Sequence, residues 1–250
     1  MTAYHFIAIM SHYHKGTRVG WHYASTEKLD KEVIDTFFKK VEKKCGEIQF
    51  GIHKLSTESV SWRSVVKKDR FFHDVSVTDN METFIEYVSS DQELSATDVA
   101  KFVLTVIPSS HLKLQKLLYY CYAEFLERTG QKLFKEPIVA YKYGPVVESV
   151  FRKFKIHGSS IIDYQEDESF ILSTEEIATT PSFIKVVSSE HGIAALDCIL
   201  SVLDDYGASD PFDLVEKTHQ KGSPWDRVYK PGANSIITDD LITQYHSYAR

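Results

Sequence analysis

The sequence predicts an α+β fold in which a small α/β domain, residues 1–90, precedes a mostly helical domain with a small β-hairpin, residues 91–250. Three observations support this division. The hydrophobic pattern changes from alternating, aromatic-rich stretches near the start to helical spacings in the later part of the chain. A polar segment without periodicity, residues 89–96, separates the two parts. The charge also differs, because residues 1–78 carry 13 basic and 9 acidic residues whereas residues 79–250 carry 16 and 26.

The N-terminal domain is predicted to contain one amphipathic helix among short strands. Apolar residues recur every four positions from Leu29 to Val41 with charges between them, and Gly46 can end the helix. Alternation and a high content of aromatic and β-branched residues predict the strands. They cover residues 4–14, 21–25, 47–55, 59–66 and 70–77. A domain of this size is near the lower limit for a stable core, so we expect it to depend on the rest of the chain or on a partner.

The C-terminal domain is predicted to consist of helices with recognisable ends. Thr97 can cap a first helix that Pro108 ends. Ser109 or Ser110 can cap a longer helix that Gly130 ends. The remaining predicted elements are helices at residues 146–154 and about 182–204, helices capped by Asp210 and Thr238, a hairpin of residues 160–165 and 169–173 with residues 166–168 at its tip, and a loop at residues 221–234.

The composition is that of a globular protein, with 43% hydrophobic and 26% charged residues. No apolar run reaches about 18 residues, so no transmembrane helix is predicted. The start of the chain lacks the positive region and the cleavage site of a signal peptide. Cys45, Cys121 and Cys198 are far apart, which favours reduced, buried thiols. We therefore expect a cytoplasmic protein without membrane contact.

The charge distribution bears on the partner. Residues 1–78 carry a net charge of +4 and residues 79–250 carry −10, which together give −6. Nucleic-acid binding is not expected of the acidic part, because phosphate attraction dominates that kind of affinity. A basic or mixed protein partner fits better. Lys39, Lys40, Lys43 and Lys44 form a basic helix face that is either solvated or a contact for an acidic protein or RNA.

The motifs of common catalytic classes are absent. There is no G-x-S-x-G nucleophile elbow, and the glycines are too scattered for a phosphate-binding loop or a dinucleotide fingerprint. We expect no cofactor. His12 and His14 are the metal candidates, because an H-x-H spacing places both rings on one face of a strand. No carboxylate or cysteine lies at a matching spacing, so histidines at a surface or interface are the favoured alternative.

Two short stretches have the chemistry of a binding surface. The sequence YKYGPVV, from residue 141, combines large aromatic rings that have few rotors with a rigid Gly-Pro step. The sequence SPWDRVY, from residue 223, contains residue types that are enriched at binding hot spots. The alternative is that these aromatic residues pack a corner of the core. The candidate partner-binding residues are Tyr141, Lys142, Tyr143, Pro145, Trp225, Arg227 and Tyr229.

Four segments of the C-terminal domain carry a more specific pattern. They are KLQKLL at residues 113–118, GQKLF at 130–134, YKYGPV at 141–146 and THQKGSPW at 218–225. In order and spacing they resemble the Panacea domain, also called the SocA-like antitoxin domain. The resemblance covers about residues 97–250, and Tyr141 stands where the family often has tryptophan.

The resemblance implies a mostly helical domain without catalytic activity that neutralises a co-encoded toxin by binding it. We therefore predict an antitoxin of a bacterial or prophage toxin–antitoxin system, and no enzyme. The alternative is a proteolytic adaptor, which also contacts a host protease, or a phage counter-defence protein that binds a host protein. The N-terminal domain does not match the pattern. It is either an accessory recognition domain or a scaffold for homo-oligomers.

Overall fold

The computed structural model describes residues 2–12, 17–46, 48–165, 172–174 and 177–250. The chain divides into two compact units, Met1–Gln92 and Glu93–Arg250, each with its own hydrophobic core. The first unit mixes a sheet with helices, and the second is mostly helical with small sheets. The predicted α+β fold class is therefore confirmed.

The first unit is built on a four-stranded sheet with helices on both faces. Its elements are β1 (Ala3–His12), β2 (Thr17–Ser25), α1 (Lys31–Cys45), β3 (Gly51–Thr57), α2 (Trp62–Lys68), β4 (Val75–Thr78) and α3 (Met81–Gln92), with a 3₁₀ turn at Arg70–Phe72. The strand order is β3-β1-β2-β4, in which β1 is antiparallel to both neighbours and β4 is parallel to β2.

Alternation along β1 separates two cores in this unit. Phe6 belongs to a cluster with residues of α1 and α3, including Phe37. Ile7 points to the opposite face and belongs to a cluster with Val65 of α2 and with Phe72. Because successive strand residues face opposite sides, one strand contributes to both cores.

The strand predicted at residues 59–66 is wrong. Ser61 instead caps α2, and its side chain accepts a hydrogen bond from the Arg63 amide. The helix buries Ser64 and Val65, and Asp69 then caps the 3₁₀ turn that follows. The local hydrogen bonds of the polar residues therefore outweigh the strand preference of the valines.

Helix α3 was not predicted. Asn80 precedes it and accepts a hydrogen bond from the Thr83 amide. Phe84, Ile85 and Val88 lie on its buried side. The polar residues at its end matched the predicted boundary, so the short apolar stripe before them was overlooked.

The second unit surrounds one long helix. Its elements are α4 (Ala96–Val106), α5 (His111–Thr129), β5 (Ile138–Tyr141), β6 (Gly144–Val147), α6 (Glu148–Phe154), β7 (Leu172–Thr174), β8 (Ile177–Thr179), α7 (Pro181–Val187), α8 (Gly192–Tyr206), α9 (Pro211–Thr218), α10 (Pro224–Val228), β9 (Ile236–Ile237) and α11 (Asp239–Tyr245), with 3₁₀ turns at Lys155–His157 and His246–Ala249. One sheet has the order β6-β5-β9, and β7 pairs with β8.

Helix α5 is the centre of this unit. It packs against α4, α8, α9 and α11 and against β6. Ser110 caps it, and Gly130 ends it with a left-handed backbone (φ 69°, ψ 7°), as predicted. The predicted caps Asp210 and Thr238 are also confirmed. The first helix is capped by Ser95 rather than by the predicted Thr97, because Asp98 completes a capping box with Ser95.

Three other predictions for this unit need correction. The helix predicted at residues 182–204 is two helices, α7 and α8, which meet closely: a Cβ atom on Gly192 would lie 2.0 Å from the Val187 carbonyl oxygen. Residues 162–165 of the first strand of the predicted hairpin, 160–165, form no strand. The predicted tip and residues 169–171 of the second strand, 169–173, lie outside the described residues, and residues 172–174 form β7, which pairs with β8. The predicted loop at residues 221–234 contains α10.

Candidate partner-binding site

The YKYGPVV stretch is a tight hairpin. Strands β5 and β6 pair from Ile138–Val147 to Tyr141–Gly144, which leaves Lys142 and Tyr143 as a two-residue turn. Tyr143 is 52% exposed, and the Lys142 Nζ lies 5.2 Å from the centre of its ring. Pro145 is tolerated because β6 is an edge strand. The hairpin therefore presents a cation and an aromatic ring to solvent.

Buried polar side chains of α5 form hydrogen bonds with strand β6 of this hairpin. The Gln115 Oε1 accepts a hydrogen bond from the Val147 amide at 2.8 Å. The Lys116 Nζ donates to the Pro145 carbonyl oxygen at 2.7 Å. Both side chains are buried, Lys116 completely. Two adjacent buried polar side chains of α5 thus fix the position of β6.

Gly144 is required at the point where the lysine and the hairpin meet. Its φ angle is +98°, which side-chain-bearing residues rarely adopt. A Cβ atom there would lie 2.7 Å from the Lys116 Nζ and 2.8 Å from the Thr218 Oγ1. The space that a side chain would fill is therefore occupied by two buried polar groups.

Lys116 is electrostatically unusual. Complete burial lowers the pKa of Lys116 from its usual 10.5 to about 7. Its charge has a further effect on His219: burial first, and then the nearby Lys116 charge, lowers the pKa of His219 to about 4. The imidazole of His219 is therefore neutral at physiological pH, which suits its packing against an aromatic ring.

Helix α10 closes the other side of the hairpin. The Trp225 Nε1 donates to the Tyr141 carbonyl oxygen at 2.8 Å. Its ring is stacked with His219, with 3.6 Å between ring centres, and with Tyr229, with 4.4 Å between ring centres. Ser223 caps α10 and donates its hydroxyl to the Thr218 carbonyl oxygen. The SPWDRVY stretch is therefore attached to both the hairpin and α9.

Two further candidates are fixed at the surface. The Arg227 Nε donates to the Gly222 carbonyl oxygen at 3.0 Å, and its guanidinium lies 3.4 Å from the centre of the Tyr245 ring. The Tyr141 hydroxyl donates to the Glu148 Oε1 at 2.8 Å. This bond raises the pKa of Tyr141 and lowers that of Glu148. Neither side chain is a free rotor.

The seven candidate residues therefore lie together. We call the β5–β6 hairpin, α10 and the buried Gln115, Lys116 and Thr218 the hairpin corner. Pro145 and Trp225 are buried in it, and Tyr141 and Tyr229 are half-buried. Lys142, Tyr143 and Arg227 are exposed. Both sequence-based interpretations thus describe part of the geometry, since some residues build the corner and others are displayed by it.

Sequence reasoning missed the polar support of the corner. Gln115 and Lys116 interrupt the apolar residues of α5, as Leu114 and Leu117 on either side show. Adjacent polar residues inside a helix that is buried on nearly all sides were the available signal. The partner groups on β6 are about thirty positions away in sequence, so no local pattern identified them.

The histidine candidates are not brought together by the described part of the chain. His12 is the last residue of β1, and His14 lies outside the described residues. The His5 Nδ1 is instead hydrogen-bonded to the His22 Nε2 at 2.8 Å, and its Nε2 to the Thr57 Oγ1 at 2.8 Å. Within the described part of the chain, no group of three or more histidine, cysteine or acidic side chains could hold a metal.

The basic face of α1 is partly neutralised. Lys40 pairs with Glu82, and the Lys44 Nζ lies 3.9 Å from the Glu86 Oε1. The three cysteines are buried thiols, as expected. Within the described ranges, no helix has the length and apolar character needed to cross a membrane.

The fold and the hairpin corner together describe a mostly helical domain in which buried polar contacts support an exposed hairpin. A family model described as "Antitoxin SocA-like, Panacea domain" matches residues 114–226. The chain is also 33% identical over 149 residues to Antitoxin SocA of Caulobacter vibrioides (strain NA1000 / CB15N), covering 57% of this chain and 75% of that protein. No solved structure matches the chain. The chain belongs to the SocA-like antitoxin family.

This membership confirms the resemblance that the four motifs indicated. The matched residues include nearly all of those motifs and most of the hairpin corner, since α10 extends two residues beyond the match. The family suggests an antitoxin role, a regulator rather than an enzyme, and a toxin as partner in general.

Proposed function

We propose that this protein is an antitoxin that neutralises a co-encoded toxin by direct protein–protein binding, and that the hairpin corner contacts the toxin. The observation that carries the proposal is the displayed turn. Lys142 and Tyr143 are exposed on a hairpin whose base is held by the buried Lys116–Pro145 hydrogen bond.

A rigid display favours binding. Ordering a mobile loop costs free energy when a partner binds, and a preorganised loop avoids most of that cost. Tyrosine adds a large contact area with only two side-chain torsions. The buried contacts of Gln115 and Trp225 fix both flanks of the turn, so the tip is held in one position before any partner arrives.

The seven residues have two different roles in this proposal. Pro145 and Trp225 position the corner from inside the domain. Tyr143 and Arg227 are exposed and belong to residue types that are enriched at protein interfaces, and the exposed Lys142 adds a positive charge beside them. Tyr141 and Tyr229 connect the two sets, because each is half-buried.

The two units have separate tasks in this proposal. The second unit, Glu93–Arg250, contains the antitoxin domain. The first unit, Met1–Gln92, is an accessory domain that contributes to recognition of the toxin. The residues matched by the family model all lie in the second unit.

A growth-rescue experiment tests the function. The reading frame adjacent to this gene is induced alone and together with this protein, and the complex is then isolated through a tag on one partner. Growth arrest by the neighbour, restored growth on co-expression and co-purification of the two proteins are expected. A toxic neighbour that this protein neither binds nor neutralises would refute the proposal.

A further inference from the structure

The second unit contains a basic surface that its overall charge hides. Residues 93–250 include 22 acidic and 16 basic residues. The stretch SVFRKFKIHG, residues 149–158, nevertheless contains three cationic residues and no acidic residue. Arg152, Lys153 and Lys155 are all exposed. We call these three residues and Ile156 the α6 basic surface.

Two of the three cations of this surface form no ion pair with the described acidic residues, whereas Arg152 pairs with Glu148. Lys132 pairs with Asp239 and Lys135 with Glu93, whereas no acidic group among the described residues lies within ion-pair distance of Lys153 or Lys155. Burial first, and then the positive charge of Lys101, lowers the pKa of Lys153, and the negative charge of Asp98 opposes this shift. Lys153, Lys155 and the neighbouring Lys101 therefore outnumber the one acidic group that acts on Lys153.

An exposed apolar side chain adjoins these cations in the sequence. Ile156 is 80% exposed, the highest value among the exposed large hydrophobic residues of the described chain. Single exposed apolar residues are common and do not by themselves indicate a binding site. An isoleucine directly between Lys155 and His157 is different, because it combines an apolar anchor with a field that attracts acidic groups.

The surface is connected to the hairpin corner. The Arg152 Nη2 donates to the Glu148 Oε2 at 2.8 Å, and the other oxygen of Glu148 accepts from the Tyr141 hydroxyl. The Tyr141 and Phe151 rings are 5.5 Å apart, centre to centre. A partner that covers the hairpin tip can therefore continue onto the α6 basic surface.

We propose that the segment of the toxin that docks on the α6 basic surface is acidic and carries an apolar side chain opposite Ile156. This inference rests on the proposed function and names the chemistry of its partner. It differs from the expectation drawn from net charge alone, which favoured a basic or mixed partner. Nucleic acid is the less suitable occupant, because its phosphates make no favourable contact with an exposed isoleucine.

The full-length protein and a synthetic probe test the inference. The probe is a fluorescein-labelled 15-residue peptide of Glu, Ser and Leu, and fluorescence anisotropy measures its binding at low and high salt. We expect binding that weakens with salt and falls about tenfold in the Lys153→Glu/Lys155→Glu variant. An Ile156→Ser variant should also bind more weakly.

Two matched variants separate local from global charge. Lys153→Arg/Lys155→Arg keeps the local charge and should bind as the parent protein does. Lys132→Glu/Lys135→Glu changes the net charge of the unit equally, but at two sites outside the α6 basic surface, and should also bind normally.

Three results would overturn the inference: no binding of the acidic peptide, equal binding by the charge-reversed variant, or tighter binding of a Lys, Ser and Leu peptide or a 20-base-pair DNA duplex. Rescue of growth by the parent protein decides the proposed function separately. A parent that rescues while Lys153→Glu/Lys155→Glu rescues equally well would contradict the docking surface and leave the antitoxin role intact.

Discussion

Replacing Gly144 by alanine should destabilise the second unit strongly, because the added methyl group has neither the required backbone freedom nor space. The φ angle of +98° costs an L-residue about 1–2 kcal/mol. The new Cβ would lie 2.7 Å from the Lys116 Nζ and 2.8 Å from the Thr218 Oγ1, and overpacking of this kind costs about 1–3 kcal/mol. The free energy of unfolding should therefore fall by about 2–5 kcal/mol.

Urea denaturation of the full-length protein measures this change. Hydrogen exchange of α5 peptides identifies the transition of the second unit, because that helix forms its core. Gly130→Ala is the matched control. Gly130 also has a positive φ angle, 69°, but nothing lies within 4 Å of the position of its Cβ. The control should lose only about 1 kcal/mol.

The comparison of the two glycines decides whether the reasoning is correct. A Gly144→Ala variant as stable as Gly130→Ala would show that Lys116 and Thr218 move aside without loss. The buried lysine would then not fix the hairpin, and the rigidity that the proposed function requires would be absent.

Three further predictions concern Trp225, Lys116 and His22. Trp225→Phe keeps an aromatic ring but removes the donor to the Tyr141 carbonyl oxygen, so urea denaturation should show a free energy of unfolding that is lower by about 1–3 kcal/mol. An unchanged denaturation midpoint would show that this hydrogen bond is dispensable. The pKa of Lys116 is lowered to about 7 in the folded protein, so the unfolded chain binds more protons than the folded protein between pH 7 and 10. The free energy of unfolding of the second unit should therefore rise from pH 7 to 9. Lys116→Met should remove that rise, and a rise that persists in this variant would assign it to other groups. Burial, aided by His5, lowers the pKa of His22 to about 4, so the first unit should lose up to about 3 kcal/mol as the pH falls from 6.5 to 4. Urea denaturation should show a smaller loss in His22→Asn, in which only the lowered pKa of His5 remains, and a parent protein whose stability is flat across that range would contradict the prediction.

The elements that the sequence predicted well are those with strong local ends. Helix α5 has a serine cap and a glycine terminator, and α9 has Asp210 followed by Pro211. Such signals depend on backbone groups that are adjacent in sequence, so they are visible without the fold.

The elements that it missed are short or depend on contacts far along the chain. Helix α10 has only five residues, and its stretch contains enough glycine and proline to be taken for a loop. Helix α2 was mistaken for a strand because its valines suit both structures. The division of α7 from α8 reflects close packing at Gly192, which no periodicity indicates.

The candidate site shows the same limit. The motif residues Tyr143 and Trp225 were identified because their types and order were specific. Lys116 was not identified as a structural residue, because an isolated lysine is normally exposed. Its burial becomes understandable only when Pro145 supplies an acceptor and Gly144 supplies the space.

The most direct test of the proposed toxin contact is a Lys142→Glu/Tyr143→Ala variant in the growth-rescue and co-purification assay. Both side chains are exposed, so the change in stability should stay within about 0.5 kcal/mol. A variant that denatures at the parent's urea concentration but no longer binds or neutralises the toxin would support the proposal. Full neutralisation by a normally folded variant would contradict it, and would place the toxin contact elsewhere on the protein.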